Sequence, residues 1–583
     1  MEYVSPTRAS LAGHRSRLGL PAAIIACLIP LTSWGQGAIP RPGDQRLDLP
    51  AFPSEEPPPE PVMPAPAPAP AVTQPPAERP AVPPELRICV KSYRIVGNTV
   101  FSEEELRTMV APYLGCNMTT ELLEELRYQL TLHYVNKKYT TSGVIIPDQY
   151  PEDGVVTLWF VEGILPADKI NISGEQRLRE RYIRSRVALG TGPPLNVDTL
   201  KERLQLLNQN PLISQLDGQL APGTKRGESL LNLNVKERRP YQIGFDFDNH
   251  RTPSVGAKQG GVRVEHGNLT GWGDKLTLGY QKTEGVDDWT GSYSIPITAR
   301  DTTLGFEYEW VDSDVVFPNE FKDLDIKTKF QQAIIRLQHP FKKTFTRTIN
   351  GIIRLEKREN KTYLLGERFS FSEGAQSGKS QVSVVRLVGD WLERTEKEVF
   401  AARSTFSLGL DILGATSNDD GPDGQFFTWL GQFQYARRFN MFSAPDNQVI
   451  FRTDVQIATD PLLSMEKFGV GGPSSVRGYI TNQLVRDSGL ASSLELRLPV
   501  LRRSGGGSIV QLAVFGDYGR SWNYRGPELD LKNIGSVGLG LLVQPIRNLQ
   551  GSLYYGYQLN EVDNPGNAFE DGSLNFQLSY QAF

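Results

Sequence analysis

After Tyr241, large apolar side chains recur at every second position of many short segments. In one segment, Leu304, Phe306, Tyr308 and Trp310 alternate with small or charged residues. Further segments repeat the pattern: Leu276, Leu278 and Tyr280; Phe427, Trp429, Phe433 and Tyr435; Val537, Leu539, Leu541 and Val543; Leu553, Tyr555, Tyr557 and Leu559. A period of two gives a β-strand one apolar and one polar face. This part of the chain is therefore predicted to consist of amphipathic strands.

A water-soluble sandwich would show the same alternation, but three further features favour a membrane barrel. The apolar positions are rich in aromatic residues, the polar positions hold Gly, Gln and Glu, and polar loops separate the strands. The 343 residues from 241 to 583 (583 − 241 + 1), divided among 16 strands, leave roughly 21 for each strand and its connection. Residues 239–583 are predicted to form an antiparallel transmembrane β-barrel of about 16 strands.

The last strand of this barrel is expected at the end of the chain. Leu574, Phe576, Leu578 and Tyr580 alternate there, and the chain closes on Phe583. An alternating last strand that ends in an aromatic residue is similar to the signal that outer-membrane proteins present to their assembly machinery. Phe583 is out of phase with the preceding residues, so a bulged or frayed end is expected.

The amino terminus has the features of a secretory signal. Three arginines, Arg8, Arg15 and Arg17, precede an apolar run from Leu18 to Leu31. This run is shorter than the roughly 18 residues that span a bilayer as a helix, so residues 1–35 are interpreted as a cleaved signal peptide. A short buried helix is the alternative. The rest of the chain has no run of that length, which leaves a periplasmic soluble protein or a closed barrel.

Two cysteines remain once the predicted signal peptide, with Cys27, is removed. Cys89 and Cys116 would then lie in an oxidising compartment and are candidates for a disulfide. In the chain-entropy model such a bond is worth on the order of 3 kcal/mol. Two buried free thiols remain the alternative.

A proline-rich segment follows the predicted signal peptide. Residues 50–84 hold 15 of the 41 prolines and almost no large apolar residue except Phe52. Such a composition cannot bury a core, so residues 36–85 are predicted to be a disordered, extended linker reaching up to ~3 Å per residue.

Between the linker and the barrel, one order of elements occurs twice. Residues 86–163 are predicted to contain a strand at Ile88 to Val96, a helix capped by Ser102 with Glu105 in a capping box, a second helix at Thr119 to Lys138, and two strands. Leu122, Leu126, Leu130 and Tyr134 are expected on one face of the second helix. Residues 164–238 repeat strand, two helices and two strands, so two small α+β domains are predicted.

These repeated units resemble POTRA domains. The stretch Gly97-Asn98-Thr99-Val100-Phe101-Ser102 matches that family's turn from strand to helix. Two such domains before a barrel resemble the transporters of two-partner secretion, the haemolysin and filamentous-haemagglutinin exporters of the BamA-type superfamily. The resemblance covers Leu86 to Phe583 and implies periplasmic POTRA domains followed by an outer-membrane barrel.

The barrel segment carries three motifs of that superfamily. Residues 268–274 (NLTGWGD) are similar to its early turn, and residues 515–520 (FGDYGR) match its strand motif at Phe515, Asp517 and Gly519. The third motif, in the loop that folds into the lumen, comprises Val476, Arg477, Gly478 and Tyr479. The resemblance implies an ion pair between Arg477 and Asp517, about 40 residues apart. An Arg-Gly-Tyr tripeptide at an ordinary surface turn is the alternative.

One departure from the family concerns the helix that often plugs the pore. Residues 37–52 contain Pro40, Pro42 and Pro50 and show no helical period. We therefore expect either no plug or a short relic at Arg46 to Phe52.

Chemistry other than transport is not indicated by the sequence. Residues 374–380 (GAQSGKS) superficially resemble a phosphate-binding loop, but Glu373 stands where the first glycine must be. The five histidines show no metal-ligand spacing, and no nucleophile and base can be paired. With a net charge of −4, the chain is not expected to bind nucleic acid, and no metal, cofactor or enzymatic activity is predicted.

The predicted function is export of a partner exoprotein, haemolysin-like or adhesin-like and unfolded in the periplasm, through an outer-membrane barrel. Outer-membrane lipids and the outer-membrane assembly machinery are the other expected partners. An assembly factor that inserts other barrels is the first alternative, and a passive porin is the second.

Overall fold

The computed structural model describes residues 87–441, 444–503, 507–525, 531–562 and 572–582. The predicted signal peptide (1–35), the predicted linker (36–85) and Phe583 lie outside these residues. Among the described helices, none is both long and apolar enough to cross a membrane.

The first α+β unit contains two small sheets and two helices. Its elements are β1 (Ile88–Val90), β2 (Ser92–Val96), α1 (Glu103–Val110), β3 (Gly115–Met118), α2 (Thr120–Asn136), β4 (Gly143–Ile145) and β5 (Val155–Val161). One sheet has the order β2-β5-β4, and β1 pairs with β3. The predicted single strand from Ile88 to Val96 is wrong, because the chain changes sheet at Lys91, whose N–H donates to the carbonyl of Gly154 (2.8 Å). The short strand β3 was not predicted.

Helix α2 contributes three side chains to the buried core of the first unit, which it shares with α1 and the strands. Leu126, Leu130 and Tyr134 are buried, but Leu122 is 42% exposed. Four-residue steps advance ~40° beyond a full turn of a 3.6-residue helix, so the predicted four-residue row leaves the buried face at one end. Burial raises the pKa of Tyr134, and its hydrogen bond to Glu162 (2.9 Å) raises it further.

The capping of α1 and a disulfide fix the edges of this unit. The Ser102 hydroxyl accepts from the N–H of Glu105 (3.2 Å), while the Glu105 carboxylate lies 2.8 Å from Nε2 of His133 on α2. Cys89 of β1 and Cys116 of β3 are joined in a disulfide. The bond closes the small two-stranded sheet covalently.

The second unit follows the predicted order. Its elements are β6 (Ile170–Ser173), α3 (Glu180–Val187), α4 (Val197–Asn208), β7 (Ile213–Pro222) and β8 (Ser229–Glu237), with the sheet order β6-β8-β7. The buried core also contacts Trp272 from a barrel turn. The guanidinium of Arg179 lies 5.2 Å from the centre of the Trp272 ring, so the unit packs directly on the barrel.

The second part of the chain is a closed antiparallel barrel, as predicted. Within the described residues it has sixteen long strands and a two-residue extension, β16, and it closes where β27 pairs with β9. The strands are β9 (Tyr241–Asp248), β10 (Gln259–His266), β11 (Lys275–Lys282), β12 (Val286–Pro296), β13 (Thr303–Asp314), β14 (Lys327–Lys343), β15 (Arg347–Leu364), β16 (Glu367–Arg368), β17 (Lys379–Arg394), β18 (Glu398–Leu410), β19 (Phe427–Met441), β20 (Ala444–Ala458), β23 (Ser488–Arg502), β24 (Ser508–Trp522), β25 (Asn533–Ile546), β26 (Leu549–Gln558) and β27 (Leu574–Gln581). The remaining two strands, β21 (Phe468–Val470) and β22 (Leu484–Arg486), form a separate hairpin.

The outer and inner faces follow the alternation in the sequence. Phe306 and Tyr308 are exposed on the outside of β13, whereas Glu307 and Glu309 point inward and are less exposed. Register pairs Trp289 directly with Trp310 across β12 and β13. The outer surface is therefore an apolar, aromatic band and the lumen is lined by polar and charged side chains.

One end of the barrel carries the two α+β units. Strand β9 begins at Tyr241, just after β8 ends at Glu237, and the second unit contacts the turns at that end. Nη2 of Arg186 lies 2.7 Å from Asp301, and the N–H of Arg179 donates to the carbonyl of Gly271 (2.9 Å).

Candidate functional site: the loop folded into the barrel

The connection between β20 and β23, residues 459–487, folds into the lumen. Its hairpin of β21 and β22 presents the predicted motif at its tip. Val476 and Tyr479 are fully buried, and Arg477 is 6% exposed. The tripeptide Arg477-Gly478-Tyr479 is therefore not at an ordinary surface turn, because the barrel wall encloses the loop tip.

The guanidinium of Arg477 makes a two-pronged contact with Asp517 on β24. Its Nε lies 2.8 Å from Oδ2 and its Nη2 lies 2.8 Å from Oδ1. The backbone N–H of Arg477 also donates to Oδ2 (3.0 Å), so side chain and main chain share one carboxylate. Bidentate pairing of this kind fixes orientation as well as charge.

Four further side chains from the wall, two polar and two aromatic, complete the pocket around Arg477. Nη1 pairs with the carboxylate of Glu495 on β23, and Nη2 donates to the hydroxyl of Ser493 (3.0 Å). The guanidinium lies over the ring of Phe515, 3.6 Å from its centre, and 4.9 Å from that of Tyr554. Cation–π contacts of a desolvated guanidinium are worth ~2 kcal/mol, so the aromatic rings add to the ion pairs.

The next two residues hold the tip against the opposite side of the pocket. Gly478 has φ +95°, and a Cβ there would lie 3.0 Å from the carbonyl oxygen of Gly556, so only glycine fits without strain. The hydroxyl of Tyr479 lies 2.9 Å from the carbonyl oxygens of Gly535 and Asn560. The loop is therefore bonded to β24 on one side and to β25 and the end of β26 on the other.

Gly519 of the strand motif provides room rather than a contact. A Cβ at this position would overlap Cγ1 of Val470 and approach Cγ2 of Val476 to 2.9 Å. Both valines belong to the buried apolar cluster around the loop hairpin. The absent side chain lets the hairpin rest directly on β24.

The structure thus brings together Arg477, Asp517 and Phe515 as the resemblance implied, but it also recruits residues that sequence reasoning missed. Glu495 and Ser493 on β23, and Tyr554 on β26, all contact or approach the guanidinium. The usable signal was the alternation in β23, where the outward Leu494 and the apolar Leu496 flank a carboxylate that must then face the lumen.

Other residues singled out from the sequence lie elsewhere. Cys89 and Cys116 belong to the first unit. In the turn 268–274, the side chain of Asn268 accepts from the N–H of Gly273 (3.0 Å) and Asp274 accepts from the N–H of Thr270 (2.9 Å). Lys379 and Ser380 of the phosphate-loop-like stretch begin strand β17 rather than a helix. Among the described residues, no group of three His, Cys, Asp or Glu side chains is arranged to hold a metal ion.

Comparison with known proteins agrees with this geometry. The family model of the haemolysin secretion/activation proteins ShlB/FhaC/HecB matches residues 227–543, more than half of the chain. The chain belongs to this family. A POTRA domain model of the ShlB type matches residues 88–163.

Individual relatives are distant but extensive. The outer membrane transporter CdiB of Dickeya dadantii (strain 3937) is 21% identical over 479 residues, 78% of this chain and 80% of that protein. The heme/hemopexin transporter protein HuxB of Haemophilus influenzae (strain 86-028NP) is 22% identical over 451 residues, 75% of this chain and 77% of that protein. The solved structure of CdiB from Escherichia coli has the same fold, with a TM-score of 0.65, 19% identity and coverage of 88% of this chain and 94% of that one.

Family membership assigns the general function. This family member is an outer-membrane transporter of two-partner secretion, and its partner is a secreted exoprotein.

Proposed function

We propose that the two α+β units, residues 86–163 and 164–238, lie in the periplasm, and that residues 239–583 export an unfolded, haemolysin-like or adhesin-like exoprotein. Support comes from the buried ion pair between Arg477 and Asp517, which ties the loop across a polar lumen. The loop is held by this ion pair in addition to the apolar cluster around its hairpin, and a competing chain that enters the lumen can displace the charged contact. The released lumen then passes an extended polypeptide.

Recognition of the exoprotein takes place at a sheet edge of the α+β units. Within the described residues, β6 is hydrogen-bonded to β8 alone among strands and forms one edge of its sheet. An added strand would extend such an edge through main-chain hydrogen bonds. Docking there brings the unfolded chain to the end of the barrel on which the second unit packs.

The surroundings of the barrel follow from its surface. The outward Leu539, Tyr555 and Tyr557 contact the lipids of the outer membrane. The last strand, β27, presents its alternating residues to the outer-membrane assembly machinery during insertion. Folding of the exoprotein outside the cell supplies the net driving force for export.

The test is secretion by an Arg477→Ala variant. Removing the guanidinium takes away the cation that pairs with the buried Asp517, which typically costs about 3–5 kcal/mol in a buried pair, whereas Glu495 keeps its ion pair with Arg497. We expect the loop to lose its docked position and export of the exoprotein to fall at least tenfold, while the barrel still inserts and shifts on heating in gel electrophoresis.

Arg477→Lys is the matched control, because it keeps the charge but loses the two-pronged geometry, and it should retain partial export. Export at the wild-type level by Arg477→Ala would refute the role of the loop. Depletion of many barrels on deletion of the gene would instead identify an assembly factor, and a change in small-solute uptake alone would identify a porin.

A further inference from the structure

The root of the lumen loop carries a second buried charge, of opposite sign to Arg477. Glu466 lies eleven residues before Arg477 and is 1% exposed. Its carboxylate faces Arg358 on β15 and Arg386 on β17, both of which are also buried. A carboxylate at this depth is tolerated because two guanidinium groups compensate it.

The contacts of this root cluster, Glu466 with Arg358 and Arg386, are numerous. Nη1 of Arg358 lies 2.6 Å from Oε1 of Glu466 and donates to the carbonyl of Met465 (2.9 Å). Nη2 of Arg386 lies 2.9 Å from Oε2 of Glu466. In addition, Nε2 of Gln456 donates to the backbone carbonyl of Glu466 (3.0 Å). The wall therefore holds both the side chain and the main chain of the loop root.

The root cluster and the tip pair use different sectors of the wall. The tip is bound to Asp517 on β24, whereas the root is bound to β15 and β17. Three barrel strands, β18, β19 and β20, lie between these two sets of ion pairs, because Glu495 on β23 also holds the tip. Because the loop is bound to the wall by the tip pair and by the root cluster, loss of the tip pair leaves the root cluster in place.

The wall beneath Glu466 also needs an anion. Arg336, Arg354 and Arg386 stand directly opposite one another in the register of β14, β15 and β17. Like charges in register repel. Glu307, 3.5 Å from Nε of Arg336, and Glu356, 2.9 Å from Nε of Arg386, compensate part of this charge from the wall. Glu466 adds a further anion beside Arg386, but it belongs to the loop and not to the wall.

We propose that Glu466 is a positioning residue that pins the loop root to β15 and β17, so that release of Arg477 makes the loop pivot inside the bore. This inference rests on the proposed function in one respect: export requires the tip to move. The contacts of Glu466 keep the displaced loop in a defined second position. Glu466 remains bound at the row of Arg336, Arg354 and Arg386 while the loop tip leaves its pocket on β23 and β24.

The experiment measures the loop position directly. Nitroxide labels are attached through the substitutions Ser474→Cys, three residues before Arg477, and Leu278→Cys. Leu278 faces outward on β11 and contacts neither set of ion pairs. The full chain is used in a Cys27→Ser background, reconstituted without exoprotein, with the Cys89 to Cys116 disulfide intact. Pulsed electron paramagnetic resonance then gives the distribution of label distances.

We expect one narrow distance in the otherwise unchanged chain and a second, equally defined distance in Arg477→Ala. The double variant Glu466→Gln, Arg477→Ala should give a distribution at least twice as broad. Glu359→Gln combined with Arg477→Ala is the matched control, because Glu359 also lies on β15 but pairs with Lys361 and Lys379. It should reproduce the result of Arg477→Ala alone.

A double variant with the same distribution as Arg477→Ala would overturn the proposal, as would a broad distribution in Arg477→Ala itself. If Glu466→Gln fails to insert, Glu466→Asp, which keeps the charge but shortens its reach, should give an intermediate width. An unchanged width for Glu466→Asp in the Arg477→Ala background would likewise overturn it. No exoprotein is present in this experiment. It therefore tests the role of Glu466 separately from the export model, which the secretion assay tests.

Discussion

At the scale of single residues, the docked position of the loop tip depends both on charge pairing and on glycines that leave space for the loop. Arg477 is satisfied by Asp517, Glu495 and Ser493, and its flat face rests on Phe515. Beside this pocket, Gly519 leaves the space that the loop hairpin fills. The positions without a Cβ decide whether the charged groups can meet.

Gly519→Ala is therefore expected to displace the hairpin without removing any polar contact. The new methyl group overlaps Val470, and overpacking of this kind typically costs about 1–3 kcal/mol. Limited proteolysis of the inserted barrel should cut residues 459–487 several times faster than in the unchanged chain. Gly516→Ala on the same strand is the control, because its Cβ would meet nothing closer than 4.0 Å. Equal cleavage rates for the two variants would contradict this packing argument.

At the scale of elements, the first α+β unit is small and depends on a few long-range links. Helix α2 buries Leu126, Leu130 and Tyr134, and the disulfide joins β1 to β3 across a sequence separation of 27 residues. Short strands of three and four residues add little stability by themselves. The covalent link is thus a main support of that sheet.

Replacing both Cys89 and Cys116 by serine is expected to loosen this unit and leave the barrel unchanged. Chain entropy assigns such a link about 3–4 kcal/mol, so amide hydrogens of residues 87–163 should exchange at least tenfold faster in the full chain. Hydrogen exchange with mass spectrometry measures both regions in one sample. The barrel peptides serve as the internal control, and unchanged protection in the first unit would show that the bond contributes nothing to stability.

At the scale of the whole molecule, the second unit is held against the barrel by a charged contact outside the strands. Asp301, in the turn between β12 and β13, pairs with Arg186 of α3 and with Lys343 at the end of β14. Burial alone would raise the pKa of Asp301, but Lys343 and Arg186 outweigh it and lower the pKa below its usual value. The ionised carboxylate therefore favours the docked arrangement.

This contact predicts a pH dependence of docking. A carboxylate with a lowered pKa contributes stability above its usual value of about 3.9 and loses it as pH falls through the lowered pKa. The label distance between α3 and the barrel should broaden as pH is lowered from about 4 toward 2. Asp301→Asn should already be broad at neutral pH and should change less on acidification. A wild-type distance that stays constant over this range would contradict the prediction.

Much of the architecture is determined by local patterns in the sequence. Alternation after Tyr241 predicts the strands and their outward face, because a side-chain period of two is a property of the strand itself. The order of strands and helices that occurs twice predicts two α+β units, because the periods of helices and strands are likewise local properties of the chain. Family motifs add the pair of Arg477 and Asp517, which the structure places in contact. The change of sheet at Lys91 was not predicted, because the sheet that a short strand joins depends on partners far away in the sequence.

What the tertiary structure alone decides is which charges meet inside the barrel. Glu495 approaches Arg477 because β23 lies beside β24, and Glu466 reaches Arg358 and Arg386 because the loop crosses several strands. The inward orientation of a strand residue such as Glu495 could be predicted from the alternation within its own strand. The partner of a buried charge could not be predicted, because strand register, barrel closure and the path of the loop set the distances between residues far apart in sequence.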